Sequence, residues 1–463
     1  MKKFKAPNAV VLLFAIVALV AAATWIVPAG EYERVEVDGK ILVDPDSYRA
    51  VEGEPQGIGD VLVAPIEGFI EGAEIIGFVL IVGGAFGVLR RTGAVDAGIK
   101  TVAEAHKKSR VVRAGLIPIL MTIFSLGGAV FGMAEETIPF IFIFVPLALE
   151  LNYDTITGVA IPYVGAGAGF AGAFLNPFTI GVAQGIAGVP LFSGVEYRLV
   201  VWAIVTATAI AFVSWHAARV RRDPAKSPTR ELDAKLRAKS EKKEEKATEL
   251  TKRHKWALLV FALGMVVLTY GVLRHGWFIV EICGVFVALT LVVAVVGGLS
   301  VDESVDSFLE GAKDLIATGI VIALAKGALV IARDGGVIDT ILHYLAGALD
   351  GLHPILASQA MIFTESIVNI FVPSGSGQAA LTMPVMAPLG DLLDVPRQIV
   401  VLAFQFGDGF TNLIIPTSAV TMGVLTAANV PWEKWAKWIL PLEAIFFLLA
   451  VLLMIPPFLF GWG

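Results

Sequence analysis

The sequence predicts an all-α polytopic membrane protein, with about nine transmembrane helices plus two re-entrant hairpins arranged as two inverted repeats. Three observations predict it. The first is composition: the 463-residue chain is 56% hydrophobic and only 16% charged, with a mean hydropathy of +0.78, where a soluble domain carries about 25% charge. The second is a pattern met twice. Stretches 114–152 and 352–394 each read as an apolar hairpin with a polar tip, and each is followed by a span broken in its middle, 157–185 and 397–428. The third is a shared register. Gly132 and Ser374, Pro146 and Pro388, Asn176 and Ser418, Gly181 and Gly423, and Arg91 and Arg333 all lie 242 positions apart. GFIEGAE (Gly68 to Glu74) and SFLEGAK (Ser307 to Lys313) lie 239 apart. A register that persists across both halves is the mark of an internal repeat, as in many secondary transporters.

The formal charge of −6 is segregated along the chain, and no nucleic-acid partner is expected. The single cysteine, Cys283, excludes an intramolecular disulfide. Residues 1–216 form the first repeat, 217–255 a charged linker, 256–276 an extra span without a counterpart, and 277–463 the second repeat.

Ala9 to Val27 is an apolar run behind Lys2, Lys3 and Lys5. Ala21-Ala22-Ala23 has the look of a signal cleavage site, but the run exceeds a typical signal core, so an uncleaved first span with a cytoplasmic N-terminus is predicted. Ala29 to Asp60 is acid-rich and reads as an external loop, and Val61 to Glu74 as interfacial. Ile75 to Leu89 is the second span. Arg90, Arg91, Lys100, Lys107, Lys108, Arg110 and Arg113 after it mark the cytoplasmic side. In the first hairpin the limb after Glu135-Glu136-Thr137, Ile138 to Leu149, is too short to cross a bilayer, which needs about 20 residues. The tip therefore falls partway through the membrane. The broken span 157–185 leads out and Leu199 to Trp215 leads back.

Arg219 to Lys255 reads as a solvated cytoplasmic tether. Trp256 to Val272 leads out, Phe278 to Val296 in, and Leu315 to Ile331 out. The second hairpin enters from outside, with its tip at Pro373 to Gln378. The broken span 397–428 returns to a belt of Trp432, Lys434, Trp435, Lys437 and Trp438. The last span ends outside. GFIEGAE then lies outside and SFLEGAK inside, so the repeats are inverted. A multi-pass protein of the cytoplasmic (inner) membrane is expected.

Carboxylates at membrane depth usually mark a substrate, ion or proton site. Glu135, Glu136 and Thr137 at the first tip could bind a cationic group, carry a proton or help hold Na⁺. Asn176-Pro177-Phe178-Thr179 and Ile415-Pro416-Thr417-Ser418 break their spans, freeing carbonyls and exposing helix N-termini that hold anions. Ser374, Ser376 and Gln378 offer hydroxyls and an amide at the second tip, and Asp408 and Asn412 lie just before the second break. Lys326 and Glu365 are mid-segment charges, expected either to pair with each other or to leave Lys326 for a substrate carboxylate. His106, His343 and His353 fall in presumptive loops and read as solvated. No catalytic residue and no cofactor is expected beyond a coupling ion, H⁺ or Na⁺. An intramembrane protease built on Ser376 or Asp408 lacks a partner His or a second membrane Asp. A passive channel is the remaining rival.

The chain resembles the YfcC family, which is related to the DcuC-type carriers within the ion-transporter superfamily. The stretches that carry the resemblance are TWIVPAGEYER (Thr24 to Arg34), PQGIGDVLVAPIEGF (Pro55 to Phe69), GGAFGVLRRTGAVDAGI (Gly83 to Ile99), FGMAEETIPF (Phe131 to Phe140) and FVPSGSGQAALTMPVMAPLGD (Phe371 to Asp391). The resemblance implies an elevator-type carrier on a homodimeric scaffold. It implies a small carboxylate-bearing solute: basic amino acids such as arginine and ornithine, by exchange or ion coupling, or the four-carbon dicarboxylates of the DcuC relatives. Superfamily members carry Ser-Asn-Thr at each tip to help bind Na⁺. Glu135-Glu136-Thr137 and Ser376-Gly377-Gln378 depart from that pattern, which suits a cationic substrate or a coupling proton better.

Overall fold

Caps, prolines and glycines divide this apolar chain into many short helices. The computed structural model describes residues 9–37, 40–44, 47–244, 250–349 and 351–462; Lys2, Lys3 and Lys5 lie outside the described residues. The first half comprises α1 (Ala9–Ala23), strands β1 (Gly30–Glu31), β2 (Arg34–Val37), β3 (Lys40–Val43) and β4 (Arg49–Ala50), then α2 (Ile58–Glu71), α3 (Ala73–Arg91) and α4 (Ala94–Lys108). It continues with α5 (Arg110–Phe131), α6 (Thr137–Glu150), α7 (Thr155–Ala171), a π-helical turn (Pro177–Gly181), α8 (Val182–Ile186) and α9 (Val195–Arg222). The linker holds a 3-10 turn (Pro224–Lys226) and α10 (Arg230–Glu244). The second half comprises α11 (Lys252–His275), α12 (Ile279–Gly297), α13 (Val301–Asp314), α14 (Ile316–Asp334), α15 (Val337–Gly347), α16 (Pro354–Phe371) and α17 (Gly375–Leu392). It ends with α18 (Arg397–Thr411), α19 (Ala419–Ala427), α20 (Trp432–Leu453) and α21 (Pro456–Phe460).

Eight helical segments among the described residues are long and apolar enough to cross a membrane. Six are spans expected from the sequence: α3, α9, α11, α12, α14 and α20 with α21. The other two, α5 and α16, are the first limbs of the expected hairpins. The count of nine is not met by length alone, because α1 has only 15 residues and the two breaks cut α7 and α18 short. In the first hairpin the limbs are unequal: α5 has 22 residues, or ~33 Å, and α6 has 14, or ~21 Å. The short return limb cannot span an apolar core ~30 Å thick.

The packing is reciprocal between halves. α2 lies on α14 and α3 on α13. Backbones touch there: a Cβ on Gly68 would stand 2.1 Å from the Ala323 carbonyl oxygen, and one on Gly87 would stand 2.2 Å from that of Ser307. Both limbs of the first hairpin, α5 and α6, lie against α7, and both limbs of the second, α16 and α17, lie against α18. The return limbs then cross over, α6 onto α19 and α17 onto α8.

The acid-rich segment after α1 is more ordered than a plain loop. β1 pairs antiparallel with β4, and β2 with β3. Asp339 at the start of α15 accepts from the Tyr32 backbone amide at 2.9 Å and from both Arg34 terminal nitrogens. His343 stacks on Tyr48, with ring centroids 3.7 Å apart, and meets the Tyr32 hydroxyl. His106 is also not solvated: it is buried and meets the Tyr153 hydroxyl at 3.1 Å. Burial, with Arg221 and Arg113 close by, holds its pKa below the ordinary histidine value. His353 is exposed as expected.

The linker departs most from expectation, because its first part is docked. Asp233 of α10 accepts from the backbone amide and the hydroxyl of Thr155 at 2.9 and 2.6 Å, and from Ser227 at 2.6 Å. It thereby adds an acidic cap to the N-terminus of α7, where unpaired N–H groups and the helix dipole favour negative charge. Asp154, the N-cap residue, bonds Thr157 and His216. Burial pushes its carboxyl up, but these bonds outweigh that and hold it below the ordinary carboxylate value. Arg237 donates to the Tyr153 carbonyl at 2.6 Å. Asp233→Ala orphans the Thr155 donors, a loss of ~1–3 kcal/mol. The expected result is roughly tenfold faster proteolytic cleavage between Arg222 and Lys252, read by limited proteolysis in micelles.

Candidate functional site

Two tips and two helix breaks form the polar centre. At the first tip, α5 ends on Gly132 at φ +76°, ψ +29°. A side chain there is strained by ~1–2 kcal/mol, and a Cβ would stand 2.8 Å from the Asn176 Oδ1. The tip thus seats directly on the first break. Glu136 turns back to accept from the Ala134 amide at 3.0 Å, and Thr137 donates to the Ala134 carbonyl at 2.6 Å. Glu135 lies within electrostatic reach of Lys326 on α14 and of the Tyr163 hydroxyl on α7. Both glutamates are half-buried. Among the described residues, no basic group lies within 4 Å of either one.

At the first break, Asn176 accepts from the amides of Phe178 and Thr179 at 2.9 and 3.3 Å. Its side chain is a cap, so the oxygen is already engaged. At the second break, Ser418 caps α19 by accepting from Thr421 N. Tyr163 donates to the Asn412 carbonyl at 2.8 Å and meets Thr421 at 2.6 Å. The carbonyls of Leu413 and Ile414, freed by the break, each take an indole N–H at 2.8 Å, from Trp435 and Trp432 respectively.

The second tip is held differently. Ser374 caps α17 through Gly377 N, and Ser376 is exposed. Gln378 is buried and donates to the Glu365 backbone carbonyl at 2.9 Å and to its carboxylate at 2.7 Å. The expected Lys326–Glu365 pair does not form. Glu365 is engaged by Gln378 on its own hairpin, and among the described residues no carboxylate lies within 4 Å of Lys326. Asn369 on α16 donates to the Asp408 carbonyl at 3.0 Å and to Thr411 at 2.7 Å. Asn412 donates to the Asp408 carboxylate at 3.0 Å. A Cβ on Gly375 would stand 2.6 Å from the Thr179 methyl and 3.3 Å from Asp408 Oδ2, so this tip, the first break and α18 meet at one point.

The atoms left over there are of one kind. Thr179 Oγ1, Glu365 Oε1, Asn369 Oδ1, Gln378 Oε1, Asp408 Oδ2, Asn412 Oδ1 and Thr417 Oγ1 are buried and lack a hydrogen-bond partner. In folded proteins the great majority of such groups are paired, and each exception asks for an explanation. These orphaned oxygens of the two breaks and the second hairpin are candidates to hold a cation or a proton. The set is all hard oxygen donors, which fits Na⁺ as well as H⁺.

A cavity of about 990 Å³ leads toward the first tip from the end where Lys107, Glu150 and Trp432 lie, with Ile141, Val321 and Met422 among its lining. Ile141 is one turn from Thr137, and Met422 adjoins Thr421.

Residues 6–458 match the DcuC family, the C4-dicarboxylate anaerobic carriers. The chain belongs to that family. It is 38% identical to an Escherichia coli (strain K12) protein named "Putative basic amino acid antiporter YfcC", over 100% of this chain and 98% of that one. It is 28% identical to an uncharacterized Haemophilus influenzae protein, over 98% and 97%. The Alcanivorax borkumensis YdaH transporter is 15% identical over 98% of this chain and 99% of its own, with a TM-score of 0.45. Membership of the DcuC family and the apolar helices make this chain a multi-pass membrane transporter, with the bilayer as its solvent and a small molecule as its cargo.

The site residues that the sequence reading did not single out are Tyr163, Asn369, Gln405 and Thr421. For two of them a signal was present: Tyr163 and Gln405 lie 242 positions apart, in the repeat register. Tyr163 of α7 donates to the end of α18, and Gln405 of α18 donates to the Ala171 and Ala173 carbonyls at the end of α7, both at 2.9 Å.

Proposed function

We propose that the chain is a secondary exchange carrier for a basic amino acid in the cytoplasmic membrane, working by an elevator mechanism as a homodimer. The observation that carries the reading is the pair of glutamates at the first tip with no basic group within 4 Å. The substrate's side-chain cation meets Glu135. Its carboxylate meets the N–H groups at the starts of α19 and α17, where helix dipoles favour an anion. The reciprocal packing of the halves supports the inverted repeat. With the N-terminus cytoplasmic, the cavity beneath the first tip is a cytoplasmic vestibule and the conformation is inward-open. The orphaned oxygens around Asp408 would hold the coupling ion, H⁺ or Na⁺, whose charge balances the buried carboxylates.

A second reading, a C4-dicarboxylate carrier, is favoured by Lys326, which lies within electrostatic reach of Glu135 and has no ion pair among the described residues. It requires Glu135 and Glu136 to be protonated. Counterflow in proteoliposomes separates the two. Vesicles loaded with arginine and ornithine are expected to accumulate labelled arginine, and vesicles loaded with succinate and fumarate are expected not to accumulate labelled succinate. The reverse outcome moves the site to Lys326. Accumulation of neither overturns both readings.

A further inference from the structure

The last long helix carries a carboxyl group that the transport site does not use. α20 shows Leu440, Ile445, Leu448 and Leu452 on its exposed face. Glu443 lies on the opposite face, with Trp435, Ile439, Leu442 and Phe446, and is 3% exposed. Among the described residues, neither of its carboxyl oxygens has a hydrogen-bond partner. α20 packs on α9, α16, α18, α19 and α21, and the ionisable groups those elements bury are engaged, Tyr197 of α9 by donating to the Leu453 carbonyl of α20 itself. His216 of α9 is bound to Asp154, Arg198 of α9 to Gln405, Glu365 of α16 to Gln378, and Asp408 of α18 to Asn412. α19 contributes no ionisable side chain. From α7, the Tyr163 hydroxyl lies within electrostatic reach of Glu443.

A carboxylate anion at membrane depth with neither counter-ion nor donor is not a sustainable state; the group takes a proton instead. A neutral acid with an unaccepted O–H is in turn a poor packing choice beside a leucine, because its polar atoms gain nothing in place of water. What distinguishes the side chain here is the proton it can release. Its helix is also joined to the second break. Trp432 and Trp435 of α20 bind the freed carbonyls of the second break, and Tyr163 binds the Asn412 carbonyl at the same break. A rearrangement of that break therefore changes the surroundings of Glu443.

We propose that Glu443 is an intramembrane proton-binding site, distinct from the tip carboxylates and from the oxygens around Asp408, which loses and regains one proton as the second break rearranges. The proton passes between a carboxyl oxygen and water, with no other bond changed. This goes beyond the exchange reading and holds whichever solute is carried.

The decisive measurement is infrared absorption of the purified protein at neutral pH. A protonated buried carboxyl gives a C=O stretch above the amide band. The wild type minus E443Q spectrum is expected to show one such band lost, and E443D is expected to restore it at a shifted frequency. A difference spectrum without that band overturns the proposal independently of any transport result. The second measurement is the pH profile of exchange. Between about pH 5 and 9, E443Q is expected to lose one inflection of the wild-type profile while the titration of the tip carboxylates and of Asp408 stays in place. A wild-type profile in E443Q overturns the coupling of that proton to transport.

Discussion

Glu135→Gln is expected to lower counterflow of a dibasic amino acid by about 100-fold, with the protein still folded and inserted. The two tip glutamates are not equivalent. Glu136 braces the tip by accepting from the Ala134 amide. A glutamine there keeps an acceptor oxygen, so Glu136→Gln removes charge with little loss of geometry. Glu135 has no bonding partner beyond its own backbone amide and faces Lys326 and Tyr163. On the exchange reading it is the carboxylate that meets the solute. Loss of one member of a close charge pair in a poorly hydrated site costs about 2–5 kcal/mol, and ~2.7 kcal/mol is 100-fold. The defect should fall on dibasic solutes and spare a neutral amino acid of similar size, because the amide still fills the volume. Equal rates for wild type and Glu135→Gln would remove this residue from the substrate site. A faster rate with succinate would favour the dicarboxylate reading.

The parts of this site legible in the sequence were those written as local patterns. A short apolar limb after Glu135-Glu136, a proline after Asn176 and another before Thr417-Ser418, and the 242-residue register were enough to place two tips and two breaks. The elements that failed depend on contacts that only the tertiary fold defines. Asp233 looked like one charge in a run of charges until it met Thr155, and His106 looked like a loop residue until Tyr153 covered it. Lys326 and Glu365 were candidates for mutual pairing because they stood out as intramembrane charges. Glu365 is instead met by Gln378, only 13 positions on. Neither Asn369 nor Glu443 differs by local pattern from an incidental polar residue on a span. What singles them out is the burial of oxygens without donors, which only tertiary structure defines.

Arg198→Met is expected to lower stability by about 1–3 kcal/mol through an orphaned buried acceptor. Arg198 is fully buried and has no carboxylate partner among the described residues. Its guanidinium donates to Gln405 at 2.5 Å and to Gln398 at 3.3 Å, and lies 5.5 Å from the Trp462 ring. The compensation for its charge comes through Gln405. By accepting from Arg198, the Gln405 carbonyl oxygen turns the amide nitrogen toward the Ala171 and Ala173 carbonyls. Ala171 ends α7 and Ala173 lies two residues beyond it, at the negative end of the helix dipole. The arginine therefore fixes the amide, and the amide closes the helix end that precedes the Asn176 break. Removing the guanidinium leaves the buried Gln405 carbonyl oxygen without a donor, while Gln398 still accepts from Gln184 at 3.1 Å. Gln405→Leu leaves the charge buried with one hydrogen bond and the Trp462 ring and also orphans both alanine carbonyls, so it should cost more, about 3–5 kcal/mol. The two losses share one network and should not add. Arg198→Met with Gln405→Leu is expected to be less destabilised than the sum of the single changes by about 1–3 kcal/mol, read from thermal unfolding in detergent. Transport should fail in all three variants, because the first break loses its support. Additive losses would mean that Arg198 stabilises the fold through Trp462 and Gln398 alone.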